Sequence, residues 1–95
     1  MRKYETMIIL NPALEEESRK ELIEKFKGII SSMGEVEEVN EWGLRKLAYP
    51  INKNREGYYL VINFKGEADL PKELERNLRI SDEVMRYIVI NLEEI

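Results

Sequence analysis

Tyr58-Tyr59-Leu60-Val61-Ile62-Asn63-Phe64 is the stretch that decides the fold. Its β-branched and aromatic residues are typical of a β-strand. A polar segment over 52–57 precedes this stretch, and residues 36–49 before that segment alternate weakly between apolar and polar side chains. The sequence therefore predicts a hairpin of two strands joined by a polar turn, and a bend or bulge in the first strand at Gly43.

Outside the hairpin, the sequence predicts two helices and two further strands. Apolar residues at spacings of three and four predict a helix over 15–33, which Gly34 ends in a left-handed conformation. A second helix is predicted over 70–80, with Asp69 as its N-cap and Pro71 in its first turn. The apolar run 7–10 and residues 85–92 predict the first and last strands.

The predicted order βαββαβ defines the fold class. Two right-handed crossovers arrange it as an α+β domain of the ferredoxin-like split βαβ type, in which two helices cover one face of a four-stranded antiparallel sheet. Residues 1–95 are expected to form this single domain, and the first and third strands are expected at its centre. Tyr59 and Val61 are apolar at the parity opposite to Leu60, so the uncovered face either binds a partner, self-associates or is an apolar surface without a role.

Composition argues against an enzyme. The 95 residues include no cysteine and no histidine, so the commonest metal ligand and the commonest general base are missing. No glycine-rich phosphate loop or cluster of metal ligands is present, and neither a cofactor nor a metal site is predicted. The lack of cysteine suits a reducing, cytoplasmic location, and no apolar run reaches the length of a membrane span.

Cations and aromatic residues lie close together at several places in a chain whose net charge is −4. They suit RNA, because Arg and Lys contact phosphates while aromatic rings stack on bases. Each residue alone is equally well explained as a surface cation or a core aromatic, so the set carries the interpretation. Since the first strand is predicted to lie beside the third and fourth, the basic segments are expected to meet in space. The residues concerned are Arg2, Lys3, Arg45, Lys46, Tyr49, Arg79 and Arg86.

Four stretches of the chain resemble the bacterial small-subunit ribosomal protein S-six family. The most specific is Trp42-Gly43-Leu44-Arg45-Lys46-Leu47-Ala48-Tyr49-Pro50-Ile51. The others are Arg2-Lys3-Tyr4-Glu5 with the apolar run and Asn11-Pro12, then Gly57-Tyr58-Tyr59, then Leu78-Arg79-Ile80 with Val84-Met85-Arg86. Many members of that family continue into a flexible C-terminal extension, whereas this sequence stops at Ile95, just after the fourth predicted strand.

The resemblance implies a ferredoxin-like fold and a structural role in assembling the small ribosomal subunit for translation. It implies a heterodimer with ribosomal protein S-eighteen that binds the central domain of the small-subunit ribosomal RNA, and a monomer when the chain is outside the ribosome and unpaired. Carried onto this sequence, the RNA side comprises Arg2, Lys3, Arg45, Arg79 and Arg86, with Lys46 and Tyr49. The partner side comprises Trp42, Leu44 and Leu47. An acidic chain releases few counterions from RNA, so tight binding is expected only with a basic partner.

Two other functions remain open from the residues alone. The chain can be a small ferredoxin-like regulatory or ligand-binding homodimer that pairs through its uncovered sheet face. An acylphosphatase-like enzyme has the same fold, but it needs a glycine-rich anion loop after the first strand. This chain has Asn11-Pro12-Ala13-Leu14 at that position, which disfavours the enzyme.

Overall fold

The chain forms a four-stranded antiparallel sheet with two helices, and the computed structural model describes residues 1–51 and 53–93. The elements are β1 (Arg2–Leu10), α1 (Glu16–Met33), β2 (Gly34–Ile51), β3 (Asn54–Gly66), α2 (Leu70–Ile80) and β4 (Val84–Asn91). The strand order is β2-β3-β1-β4. The predicted ferredoxin-like fold is therefore confirmed, with β1 and β3 at the centre. Neither of the two helices is long and apolar enough to cross a membrane, as far as the described residues go.

The hydrophobic core lies between the two helices and one face of the sheet. Phe26 of α1 is fully buried, and its removal from water alone stabilises the fold by about 2–3 kcal/mol. Tyr4 and Phe64 stack across β1 and β3, with ring centroids 5.4 Å apart. The other core side chains are Ile8, Leu10, Ile23, Ile30, Leu60, Ile62, Leu70, Leu74 and Leu78.

Gly34 joins α1 to β2, and the prediction that it adopts a left-handed conformation is wrong. Its backbone is extended, with φ −177° and ψ −146°. Glycine is needed here for a different reason, because the backbone of β2 begins in close contact with the backbone of β3. A Cβ atom at residue 34 would collide with the carbonyl oxygen of Lys65 and lie 2.8 Å from the Cα of Gly66.

The start of α2 follows the prediction in position but not in chemistry. Asp69 precedes the helix and Pro71 lies in its first turn, as predicted. The Asp69 side chain makes no capping hydrogen bond, however, because its backbone is helical (φ −83°, ψ −17°) rather than extended. Its carbonyl oxygen accepts a hydrogen bond from the Glu73 amide at 3.3 Å.

The β2–β3 hairpin is longer than the sequence predicts. The predicted turn over 52–57 is wrong for 54–57, which belong to β3, and Asn52 lies outside the described residues. Pairing between β1 and β3 ends at Leu10 and Tyr58, and Tyr58 pairs with Leu44, so residues 45–51 and 53–57 extend past the sheet as a two-stranded segment, here called the hairpin arm. The predicted bulge is confirmed, since the β2–β3 register shifts between Glu41 and Gly43 and Gly43 has φ +85°.

Candidate functional site

The face of the sheet that points away from the helices, here called the open face, carries an apolar patch. Cross-strand partners point to the same side of a sheet, and the register places Ile9 between Tyr59 and Arg86. Ile88 and Ile90 remain 48% and 43% exposed. The open face therefore offers apolar surface that is available for contact along β1 and β4. The patch comprises Met7, Ile9, Tyr59, Val61, Ile88 and Ile90.

Trp42 extends this patch onto edge strand β2. Its ring stacks on that of Tyr59, with centroids 6.3 Å apart and an angle of 7° between the planes. The guanidinium carbon of Arg45 lies 5.3 Å from the Trp42 ring centroid, a cation–π contact worth about 0.5–1 kcal/mol at an exposed position. Because the bulge next to Gly43 breaks strand alternation, Trp42 lies over the open face while still 46% exposed.

On the helix side of the sheet, a cluster of three side chains from α1, β2 and β3 lies just before this bulge. The Tyr58 hydroxyl donates a hydrogen bond to Oε1 of Glu41 at 2.7 Å, and the guanidinium carbon of Arg19 lies 4.2 Å from the Tyr58 ring centroid. Partial burial raises the pKa of Tyr58 above its usual value, and the hydrogen bond and negative charge of Glu41 raise it further. Tyr58 therefore stays protonated and links α1 to β2 beside Trp42.

The predicted RNA-side cations do not form one cluster. Arg45, at the base of the hairpin arm, and Arg86 lie at the same end of the open face, on edge strands β2 and β4. Arg2 and Lys3 pair with Gly66 and Lys65 at the other end, about 20 Å away along β1. The expected meeting of the basic segments is therefore wrong for Arg2 and Lys3, because β1 spans the whole length of the sheet.

The other predicted RNA-side residues lie near the hairpin arm. Lys46 and Tyr49 belong to it, and the Tyr49 side chain is 78% exposed. Arg79 is exposed in the last turn of α2. That helix leads to β4, whose first residue, Val84, pairs with Leu10 at this same end of the sheet. Arg45, Lys46, Tyr49, Arg79 and Arg86 thus share one end of the molecule.

The three predicted partner-side residues separate between the two faces. Trp42 belongs to the open face, as described above. Leu47 borders it, because a Cβ atom at Gly57 would collide with Ile9 and lie 3.4 Å from Cδ2 of Leu47. Leu44 pairs with Tyr58, so it points to the helix side, where it is 58% exposed. One continuous surface therefore includes Trp42 and Leu47 but not Leu44.

Sequence reasoning did not name several residues that the fold displays here. Ile9, Met7 and Ile88 form the centre of the open face, and the signal for them was the presence of apolar residues at both parities of the strands. Lys53 and Arg55 belong to the hairpin arm, but their segment was interpreted as a mobile turn. The excess of cations between Arg45 and Arg55 was the signal that could have identified them.

Together these features suit contacts with macromolecules. Among residues 1–51 and 53–93, no group of three or more Asp or Glu side chains is arranged to hold a metal ion. Exposed apolar and aromatic side chains lie beside cations, which is the composition of a surface that meets protein and nucleic acid. The fold and these displayed groups define a small ferredoxin-like binding module.

Comparison with known proteins identifies the family. The family model described as "Ribosomal protein S6" matches residues 3–91. The chain belongs to the ribosomal protein S6 family, the S-six family that its motifs predicted, and this is a family of structural proteins of the small ribosomal subunit.

Individual relatives and a solved structure agree with this assignment. The chain is 62% identical over 95 residues to small ribosomal subunit protein bS6 of Clostridium novyi, covering 99% of this chain and 100% of that protein. It is 55% identical over 94 residues to the protein of the same name from Alkaliphilus oremlandii, with 99% and 100% covered. The crystal structure of 30S ribosomal protein S6 from Thermotoga maritima superposes with a TM-score of 0.90 at 38% identity, covering 95% of this chain and 86% of that one.

Proposed function

We propose that this chain binds the central domain of the small-subunit ribosomal RNA as a heterodimer with ribosomal protein S-eighteen, and that it acts on the ribosome in the cytoplasm. The chain supports subunit assembly and translation and catalyses no reaction. The observation that carries the proposal is the placement of an exposed apolar face beside the basic end of an otherwise acidic molecule.

The open face is the surface that suits the protein partner. Its centre is apolar, with Ile9 and Val61 already buried and Ile88 and Ile90 nearly half exposed. Protein interfaces have such an apolar centre with charged groups kept to the rim. Arg45 and Arg86 provide that rim on the two edge strands. Trp42, which is aromatic and accessible, is the expected anchor of the contact.

The RNA contacts divide between the two ends of the sheet. Arg45, Lys46, Tyr49, Arg79 and Arg86 supply the main site, at the end where the hairpin arm projects. Arg2 and Lys3 supply a second contact at the other end, where Lys65 is already paired with Glu37 at 3.6 Å. The two sites are about 20 Å apart. One RNA can therefore contact both only if it extends across the open face or across the partner bound there.

The net charge explains why a partner is required. RNA affinity depends on how many phosphates the protein neutralises and how many counterions it releases. This chain carries 15 Lys and Arg against 19 Asp and Glu, so its net charge opposes the approach of RNA even though its basic end can contact phosphates. A basic partner on the open face supplies the missing positive charge.

Affinity capture from a bacterial lysate tests this function. We expect an affinity-tagged chain to retain ribosomal protein S-eighteen and small-subunit ribosomal RNA, identified by mass spectrometry and RNA sequencing. A tagged domain of similar size and net charge is the control for nonspecific retention. Recovery of neither component above that control would overturn the proposal.

A further inference from the structure

The hairpin arm is a free two-stranded ribbon. Beyond Tyr58, β3 pairs with β2 alone, through Arg45 with Gly57, Lys46 with Glu56 and Ile51 with Asn54. The four residues of β3 in the arm extend it about 13 Å past the end of β1. Both faces of the ribbon are thus available over most of its length.

The charge of the arm is opposite to that of the rest of the chain. Residues 45–57 contain four cations and one anion, so this stretch of sequence carries +3, and the chain total of −4 leaves −7 elsewhere. Within the described residues, the ion pairs involve Lys20, Lys27, Lys65 and Arg76, and none involves a cation of the arm. The charge of the arm is therefore available to an external polyanion. Its cations are Arg45, Lys46, Lys53 and Arg55.

The arm also holds a single aromatic side chain away from its base. Between the pairs Lys46–Glu56 and Ile51–Asn54, four residues of β2 lie opposite one residue of β3. Leu47, the first of the four, is half-buried, and its Cδ2 atom lies next to Gly57. Tyr49, the third of the four, is 78% exposed.

These features favour one kind of polyanion. Single strands are usually held by several aromatic rings on which successive bases stack, whereas the arm offers only Tyr49. The minor groove of B-form DNA, about 6 Å wide, is too narrow for a two-stranded ribbon, and the major groove of DNA, which admits one, displays no 2′-hydroxyl groups. The minor groove of an RNA helix is wide and shallow and displays 2′-hydroxyl groups. A ribbon with cations on both strands can lie in it and contact phosphates on either side.

We propose that the hairpin arm lies along the minor groove of double-helical RNA, with Tyr49 against the sugars and the cations of the arm on the flanking phosphates. This inference rests on the proposed function, since it names the part of the ribosomal RNA that the arm contacts. Exchange of RNA for DNA removes both the groove shape and the 2′-hydroxyl groups, so the contact is specific for RNA.

Site-directed cleavage tests the placement. The chain has no cysteine, so Ala48→Cys, at an exposed position in the bulge, creates a single attachment point for Fe(II)–EDTA. In the heterodimer bound to a central-domain RNA fragment, we expect hydroxyl radicals from position 48 to cut both strands of one paired segment. Ser31→Cys, exposed near the end of α1 farthest from the arm, is the matched control and should cut that segment weakly or not at all.

The outcomes of the cleavage experiment are distinct. Cuts on both strands of a helix from position 48 alone support the inference. If the RNA is retained by the heterodimer but position 48 cuts only unpaired nucleotides, or none, the inference is overturned while the proposed function survives. If the heterodimer retains no RNA, the proposed function fails and the inference fails with it.

A charge experiment measures the same interaction in solution. Lys46→Gln with Arg55→Gln should weaken binding of the heterodimer to the RNA and reduce the slope of log affinity against log salt by roughly two, one for each phosphate that is no longer neutralised. Lys20→Gln with Lys27→Gln removes the same charge from α1 and should leave the slope unchanged. Equal slopes for the two double variants would contradict a phosphate contact by the arm.

Discussion

Replacing Gly34 with alanine is expected to remove about 3 kcal/mol or more of the folding free energy. The added methyl group would collide with the carbonyl oxygen of Lys65 and lie 2.8 Å from the Cα of Gly66. Both atoms belong to the backbone of central strand β3, which cannot move without disturbing its pairing with β1. Strain is therefore relieved only by breaking the first pairs of β2 with β3. Chemical denaturation followed by circular dichroism measures the decrease in stability.

The control for this prediction is another glycine-to-alanine change. Gly28 lies exposed inside α1, and a Cβ atom there has no atom within 4 Å. Gly28→Ala should stabilise the chain by about 0.5–1 kcal/mol, since alanine favours a helix more than glycine does. Equal stability of the Gly34→Ala chain and the parent chain would show that β2 does not begin as close to β3 as described.

Replacing Ile88 with lysine is expected to weaken the heterodimer with ribosomal protein S-eighteen about 100-fold, or roughly 2.7 kcal/mol. Ile88 lies on the open face beside Met7, and its side chain is 48% exposed in the free chain. The free chain therefore tolerates a charge here. In the heterodimer, the same charge would be buried at the apolar centre of the interface without a partner.

Calorimetric titration of the chain with the partner measures this effect. Ile80→Lys is the matched control, because Ile80 is 62% exposed at the end of α2, away from the open face. Leu44→Lys, on the helix side, tests whether the predicted role of Leu44 in the partner contact is correct. If Ile88→Lys binds the partner as tightly as the control, the open face is not the interface.

Most of the fold follows from local signals in the sequence. The alternation in Tyr58–Phe64 and the three-and-four spacing around Phe26 report which side of each element is buried, so element type and topology are predictable. The reason for a glycine at residue 34 was not predictable, because it lies in the close approach of the Lys65 backbone, 31 residues away in sequence. Local sequence can indicate that a glycine is needed without indicating why.

The candidate site was predictable in composition but not in geometry. Arg45, Tyr49 and Trp42 were identified by the interleaving of cations and aromatic rings. The placement of Trp42 and Leu44 on opposite faces depends on the bulge at Gly43, which changes strand parity by one residue. The separation of Arg2 from Arg45 depends on the register of β1 against β3, which a single sequence does not specify.

We propose that this chain binds ribosomal RNA through a complex with a basic partner. The most direct test measures the affinity of a central-domain RNA fragment for the chain alone, for ribosomal protein S-eighteen alone and for the mixture, at about 0.15 M salt. We predict that the mixture binds at least about 100-fold more tightly than the chain alone, because the chain by itself carries a net charge of −4. Equal RNA affinity of the chain with and without the partner would contradict the claim.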